Sequence, residues 1–258
     1  MNFPSTDEFA QLRRGLPVIA AVLFVVALLF PMWQIIVTAV QYPGEPLPLY
    51  LYAYPRIDGN VYEVAALNHY VGFYFPDPVL IEPNYDVHPR AIDVPEWTLG
   101  PLAFVGVSLI SVFVAIAPTV DKLKKGLKWQ LVGTIAVFTV MLADIQYRLY
   151  QAGHTLDPDA PVMGVEGFTP PIVGTYKIAN ITSYSSLGSG AYMSMFAIGL
   201  LVVAYYYRDS AATFGDVPTL VRGGFDKIRR RIGGGDESEA PTVGESDEEA
   251  PVAGSPGR

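Results

Sequence analysis

The chain has no cysteine and only three histidines in 258 residues. The first absence excludes disulfides, thiolate zinc sites, iron–sulfur clusters, covalent c-type haem and a cysteine nucleophile. No histidine falls inside the long apolar runs, which excludes a b-type haem held between spanning helices by paired histidines. Charge is scarce too, at 16% against about 25% in soluble domains. Basic residues are the scarcer kind: 17 Lys and Arg against 25 Asp and Glu give a net charge of -8. No basic surface is left to neutralise phosphates, so nucleic acid is excluded as a partner. No phosphate loop, H-E-x-x-H or nucleophile–base–acid constellation is present, and the reading is non-enzymatic.

What is abundant is apolar. Hydrophobic residues make up 51% and mean hydropathy is +0.30. A chain that is apolar on average yet acidic in sum must segregate the two characters, as membrane spans with acidic aqueous parts do. Four uncharged runs fit: Leu16–Val40, Thr98–Val120, Trp129 to about Tyr150 (interrupted by Asp144 and Arg148) and Gly190–Tyr207. The expected fold is therefore an all-α membrane protein of four transmembrane helices. The first run is too long for a signal peptide's apolar core and reads as an uncleaved anchor. Arg13 and Arg14, then Lys122, Lys124, Lys125 and Lys128, then Arg208 with Arg222 and the basic residues beyond it all fall on one side of a four-span chain. By the positive-inside rule both termini are cytoplasmic. The expected organisation is a cytoplasmic N-terminus (1–15), spans one to three (16–150) with an outer loop 42–97 and a cytoplasmic loop 121–128, a second outer loop 151–189, span four (190–207) and a cytoplasmic basic segment with a tail (208–258). The stretch GGFDKIRRRI reads as a stop-transfer charge cluster, or as a basic amphipathic helix on lipid, and the acidic tail from Gly233 as disordered. Acidic loops and an acidic tail resemble the composition of proteins from salt-rich habitats.

The outer loops are too long for plain linkers. Residues 47–54 alternate, Asp58-Gly59 follows, and Val61-Tyr62-Glu63-Val64 forms a second run. This pattern predicts a small β-hairpin of about five residues per strand, turning at Asp58-Gly59. A lone hairpin is marginal in water, so the two outer loops are expected to pack together. In the second loop, prolines at 158, 161, 170 and 171 exclude a long helix, and Asn180-Ile181-Thr182 fits the N-glycosylation acceptor pattern.

His69 and His154 lie one in each outer loop. Imidazole suits copper and zinc, and with the Asp157 carboxylate or the Met163 thioether the pair would make a copper site. The alternative is that both only hydrogen-bond and lock the loops. His88 is assigned no role. Asp144 and Arg148, spaced i,i+4 near the outer end of span three, are either an interfacial ion pair or the lining of a small-solute or ion path.

Two stretches carry a resemblance. Leu67-Asn68-His69-Tyr70-Val71-Gly72 lies in the first outer loop. Gly153-His154-Thr155-Leu156-Asp157-Pro158 lies in the second, followed by Ala160-Pro161 and by Pro170-Pro171-Ile172-Val173-Gly174. Together they resemble the NosB-like multi-pass membrane proteins associated with nitrous oxide reductase gene clusters, over roughly residues 30–190. The resemblance implies denitrification and an accessory role in assembly, copper loading or electron supply of an extracytoplasmic copper reductase. It points to Asn68, His69, Tyr70, Gly153, His154, Asp157 and Pro158. Phe73 stands where the family pattern has methionine, and Gln151-Ala152 where it has an acidic and an aromatic residue. The expected partners are membrane lipid and other proteins of such a copper-enzyme system. A structural anchor subunit and a small permease remain the alternatives.

Overall fold

A computed structural model describes residues 6–81, 86–162, 164 and 167–223. Met163, the basic stretch 224–232 and the acidic tail lie outside the described residues. A single turn, α1 (Thr6–Phe9), leads into α2 (Leu12–Ala27). Pro31 cannot continue that helix, and the residues after it are rich in β-branched side chains. They form strand β1 (Trp33–Ala39). The 25-residue apolar run expected to be one span is thus a helix, a turn and a strand. Hydropathy cannot separate these, because a buried strand is as apolar as a spanning helix.

Strands β2 (Leu47–Leu51) and β3 (Ile57–Gly59) follow, then helix α3 (Val61–Val71). A 3-10 turn at Pro95–Leu99 opens α4 (Gly100–Ala115), and α5 spans Val120–His154. Strands β4 (Gly174–Ile178) and β5 (Ile181–Leu187) run into α6 (Ser189–Tyr206). A separate short helical stretch occupies 217–223. The five strands form one antiparallel sheet in the order β3-β2-β1-β5-β4. The fold is mixed helix and sheet, not all-α.

Three helices are long and apolar enough to cross a membrane: Pro95–Ala115, Val120–His154 and Ser189–Tyr206. The fourth, α2, has 16 residues. The expected cytoplasmic loop 121–128 is instead the start of α5, whose N-cap is Thr119, its hydroxyl accepting from the Lys122 backbone N–H at 3.3 Å. At 1.5 Å per residue the 35 residues of α5 reach about 52 Å, against a hydrocarbon core of about 30 Å. The surplus length carries Arg148 to Asp93 and Glu96 and His154 to Gly167.

The expected hairpin is also redrawn. The chain turns at Tyr52–Arg56, and Ile57–Gly59 returns along β2 with Leu49 opposite Gly59 and Leu51 opposite Ile57. The second run is helical because its apolar residues continue past Val64 at helical spacing. Val61, Val64, Leu67 and Val71 are all buried. Gly72 ends this helix in the left-handed conformation (φ 77°), with its N–H on His69 O and the Phe73 N–H on Asn68 O. The buried face of α3 packs on Val37, Leu47, Leu49 and Ile57 of the sheet. Each such side chain contributes roughly 1.5–3 kcal/mol when fully buried.

The helices pack separately around Phe24, Phe104 and Phe138. Phe24 stacks on Phe138 at 5.6 Å, and Phe104 meets Phe138 edge-on at 5.1 Å. Ala20, Ala27, Ala197 and Ala204 are fully buried and let α2 and α6 approach closely. Arg13 and Arg14, Lys124 and Arg208 meet at one end of this bundle. Arg14 donates to the carbonyls of Ala115 and Ala117 at 2.7 and 2.9 Å, and Lys124 pairs with Asp209 at 2.8 Å. The sheet lies at the other end, where the Gly188 N–H bonds Met32 O at 2.9 Å.

Two glycine-related positions test this sheet. Gly59 has φ 106°, and a Cβ there would stand 2.1 Å from the Pro48 carbonyl oxygen. Gly59→Ala is expected to lower the thermal unfolding midpoint in detergent by the equivalent of more than about 1 kcal/mol. Gly199→Ala, where nothing lies within 4 Å, should leave it unchanged or slightly raised. Ala179 has φ 50°, a strained value for a residue with a Cβ. Ala179→Gly should raise the midpoint by releasing about 1 kcal/mol.

Candidate functional site

The two stretches singled out in the sequence meet. The Asp157 backbone N–H bonds Gly72 O at 2.9 Å, and the Val162 N–H bonds Tyr70 O at 3.0 Å. The approach is close enough that a Cβ on Gly72 would stand 2.8 Å from the Asp157 backbone. Around this seam lies a polar clasp. The Tyr74 hydroxyl donates to Asp157 Oδ2 at 2.9 Å. Arg90 Nη1 donates to Asp157 Oδ1, which also accepts the Asp159 backbone N–H at 3.0 Å, and Arg90 Nη2 reaches Asp159 Oδ2 at 2.8 Å. His88 stacks on the Tyr74 ring at 3.7 Å.

Proton accounting fixes the imidazoles. Tyr74 spends its one proton on Asp157, so toward His69 Nδ1, 3.3 Å away, its oxygen is an acceptor. In that arrangement His69 donates from Nδ1. His154 Nδ1 lies 2.8 Å from Tyr150 O, and a carbonyl only accepts, so His154 also donates from Nδ1. Its ring stacks on Tyr150 at 4.0 Å and abuts Gly167. His88 is the reverse: its Nδ1 accepts the Arg90 backbone N–H at 3.2 Å. His69 and His154 are both exposed.

Asp157 is engaged on both oxygens by donors of this chain, and its side chain is 10% exposed. The Asp159 backbone N–H, with the Tyr74 hydroxyl and Arg90, holds its carboxyl below the ordinary carboxylate range, against an opposing effect of burial. Tyr74 is pushed up from the usual phenol value by burial and by the bond to Asp157. Asn68 lies in the last turn of α3, and Tyr70 presents an exposed ring.

Asp144 and Arg148 form a second cluster. They approach only to 4.0 Å, and the main partner of Arg148 is Glu96, touched by both Nε and Nη2. Arg148 Nη1 also donates to Asp93 O at 3.1 Å and Gln151 Oε1 at 3.0 Å. This guanidinium ties α5 to the segment that enters α4.

No family model, curated protein or solved structure matches the chain. The resemblance to NosB-like proteins rests on the quoted motifs alone. Among the described residues, no three His, Asp or Glu side chains gather for a metal. Met163 lies outside them. Tyr74, His88, Arg90 and Glu96 are the participants that sequence reasoning missed. Arg90 had one legible signal, since residues 42–97 hold only two basic residues amid eight acidic ones.

The clasp has a defined acid dependence. Because the folded pKa of Asp157 is depressed, its stabilising contribution is complete above about pH 4 and is lost as pH falls through the lower folded value. Asp157→Asn is expected to lower the thermal midpoint at pH 7, and the gap from the parent should shrink below pH 4.

Proposed function

We propose that this chain is a membrane-embedded, non-enzymatic accessory protein that serves an extracytoplasmic copper reductase of the nitrous oxide reductase type. Its clasped outer segments form the surface that handles copper or docks the enzyme. The observation that carries the reading is the seam itself. The two stretches behind the resemblance are distant in sequence, yet they are bonded to each other at Gly72–Asp157 and Tyr70–Val162.

The donor chemistry supports copper. His69 and His154 are exposed, and each has its Nδ1 proton committed, which leaves Nε2 as the nitrogen a metal would take. Imidazole nitrogens suit copper in either oxidation state, and a thioether from Met163 would favour Cu(I). Asp157 serves here as a positioning residue: it orients His69 through Tyr74. A purely structural anchor is the second reading, favoured by the tether that Arg148 makes to Glu96. That tether gives Arg148 a holding role in place of a permeation path.

In this reading α2 is a fourth crossing. It runs antiparallel to α6 over the same length, with Arg13 Nη1 reaching Arg208 O at one end and Gly190 packed against the Ala27 and Phe30 carbonyls at the other. The basic end faces the cytoplasm together with both termini, and the sheet faces outward.

The purified protein should take up copper at neutral pH. His69→Ala and His154→Ala should each weaken uptake while keeping the thermal midpoint. Loss of the midpoint in metal-free buffer would assign both histidines to locking the loops instead. Absence of copper uptake in both oxidation states would remove the metal role and leave the docking role.

A further inference from the structure

One motif is not used by the reading above. Asn180-Ile181-Thr182 sits where β4 turns into β5, and the register Ile178↔Ile181 closes a two-residue turn of Ala179 and Asn180. Both turn residues are exposed. The β1–β5 register fixes which end of the sheet this is. Trp33 pairs with Leu187, one residue from the Gly188 that leads into α6, whereas Ala39 pairs with Ile181. The acceptor pattern is therefore at the tip distal from the bundle. Seven strand residues at about 3.4 Å each put it up to about 24 Å from the start of α6.

The geometry points to Asn180 as an N-glycosylation site on the outward tip of the sheet, and this assignment rests on the outward orientation proposed above. The acceptor needs its Asn and Thr side chains on one accessible side. Asn180 and Thr182 line the same open depression, with Thr38, Tyr42, Glu45 and Lys177. Thr182 uses its carbonyl, not its hydroxyl, to meet Thr38 Oγ1 at 3.4 Å. The donor is a polyprenyl-phosphate-linked oligosaccharide. In the transfer a bond forms between Asn180 Nδ2 and the anomeric carbon as that carbon's bond to the phosphate oxygen breaks. The amide gives up one proton and the lipid phosphate leaves. Glu45, Lys177 and the Thr38 hydroxyl supply polar partners for the first sugar, and Tyr42 supplies an aromatic wall. A glycan here would also shield β4, an edge strand with one unpaired side.

The test is mass spectrometry of the Asn180 peptide from full-length protein isolated from membranes of its native host. It is combined with labelling of the Lys177→Cys variant by an impermeant maleimide, which is unambiguous because the chain has no native cysteine. The expected result is labelling from outside and an oligosaccharide mass on Asn180. That mass should be lost in Asn180→Gln and Thr182→Ala and kept in Thr182→Ser. An unmodified Asn180, with the Lys177→Cys variant labelled from outside, overturns the glycan alone. Labelling only from inside overturns the orientation and the glycan together.

Discussion

Strand β1 has to be paired on both edges, and the rest of the molecule is arranged around that requirement. It emerges from the helix bundle immediately after Pro31 and is central in the sheet. Its backbone polar groups need partners on either side, because an unpaired buried N–H or C=O costs as much as a lost hydrogen bond. One partner, β2, is local. The other, β5, comes from about 145 residues later and continues directly into α6. The antiparallel register Trp33↔Leu187 therefore ties the exit of α2 to the entry of α6, so the bundle and the sheet are joined at a doubly fixed seam. Gly188 and Gly190 lie at that seam because Cβ atoms there would fall 2.2 and 2.8 Å from the carbonyls of Pro31 and of Ala27 and Phe30.

Beyond the seam, the segments that carry Tyr74, Arg90 and Asp157 are held by charge-assisted hydrogen bonds as well as by apolar area. The contributions are unequal. The Arg90–Asp159 contact is solvated, with Asp159 79% exposed, and such pairs contribute little. The Asp157 carboxylate, only 10% exposed, receives several donors at once and contributes the larger share. Fixing Asp157 also fixes the Tyr74 hydroxyl, and through it the contact to His69. The stability of the clasp and the Tyr74–His69 contact are thus coupled through one carboxylate.

Inside the bundle the forces differ. Three of the helices are long and apolar enough to cross a membrane, and in lipid apolar side chains would gain nothing by meeting each other, so the attraction would come from close approach through alanines and shape-matched aromatic rings. The buried Arg14 is reconciled with its surroundings by closing the end of α4, whose last carbonyls have no helical partners. It is also paired with Glu8 at 3.4 Å.

Length, hydropathy and the clustering of Lys and Arg were sufficient for much of this protein. They located α4, α5 and α6 and placed Arg13, Arg14, Lys124 and Arg208 at one end of the bundle. Those features follow from local periodicity and from charge counted along the chain. The division of residues 16–40 into helix and strand was not legible, since a buried strand and a spanning helix present the same uncharged run. Nor was the helical fate of Val61–Val71, because four residues of alternation fit both periods until the sheet supplied a face for Val64 and Leu67 to bury against. The site divides the same way. His69, His154 and Asp157 stood out by residue type, whereas Tyr74, Arg90 and Glu96 acquire their roles only through partners 52 to 83 positions away, and long-range pairing is decided by the register of the folded chain.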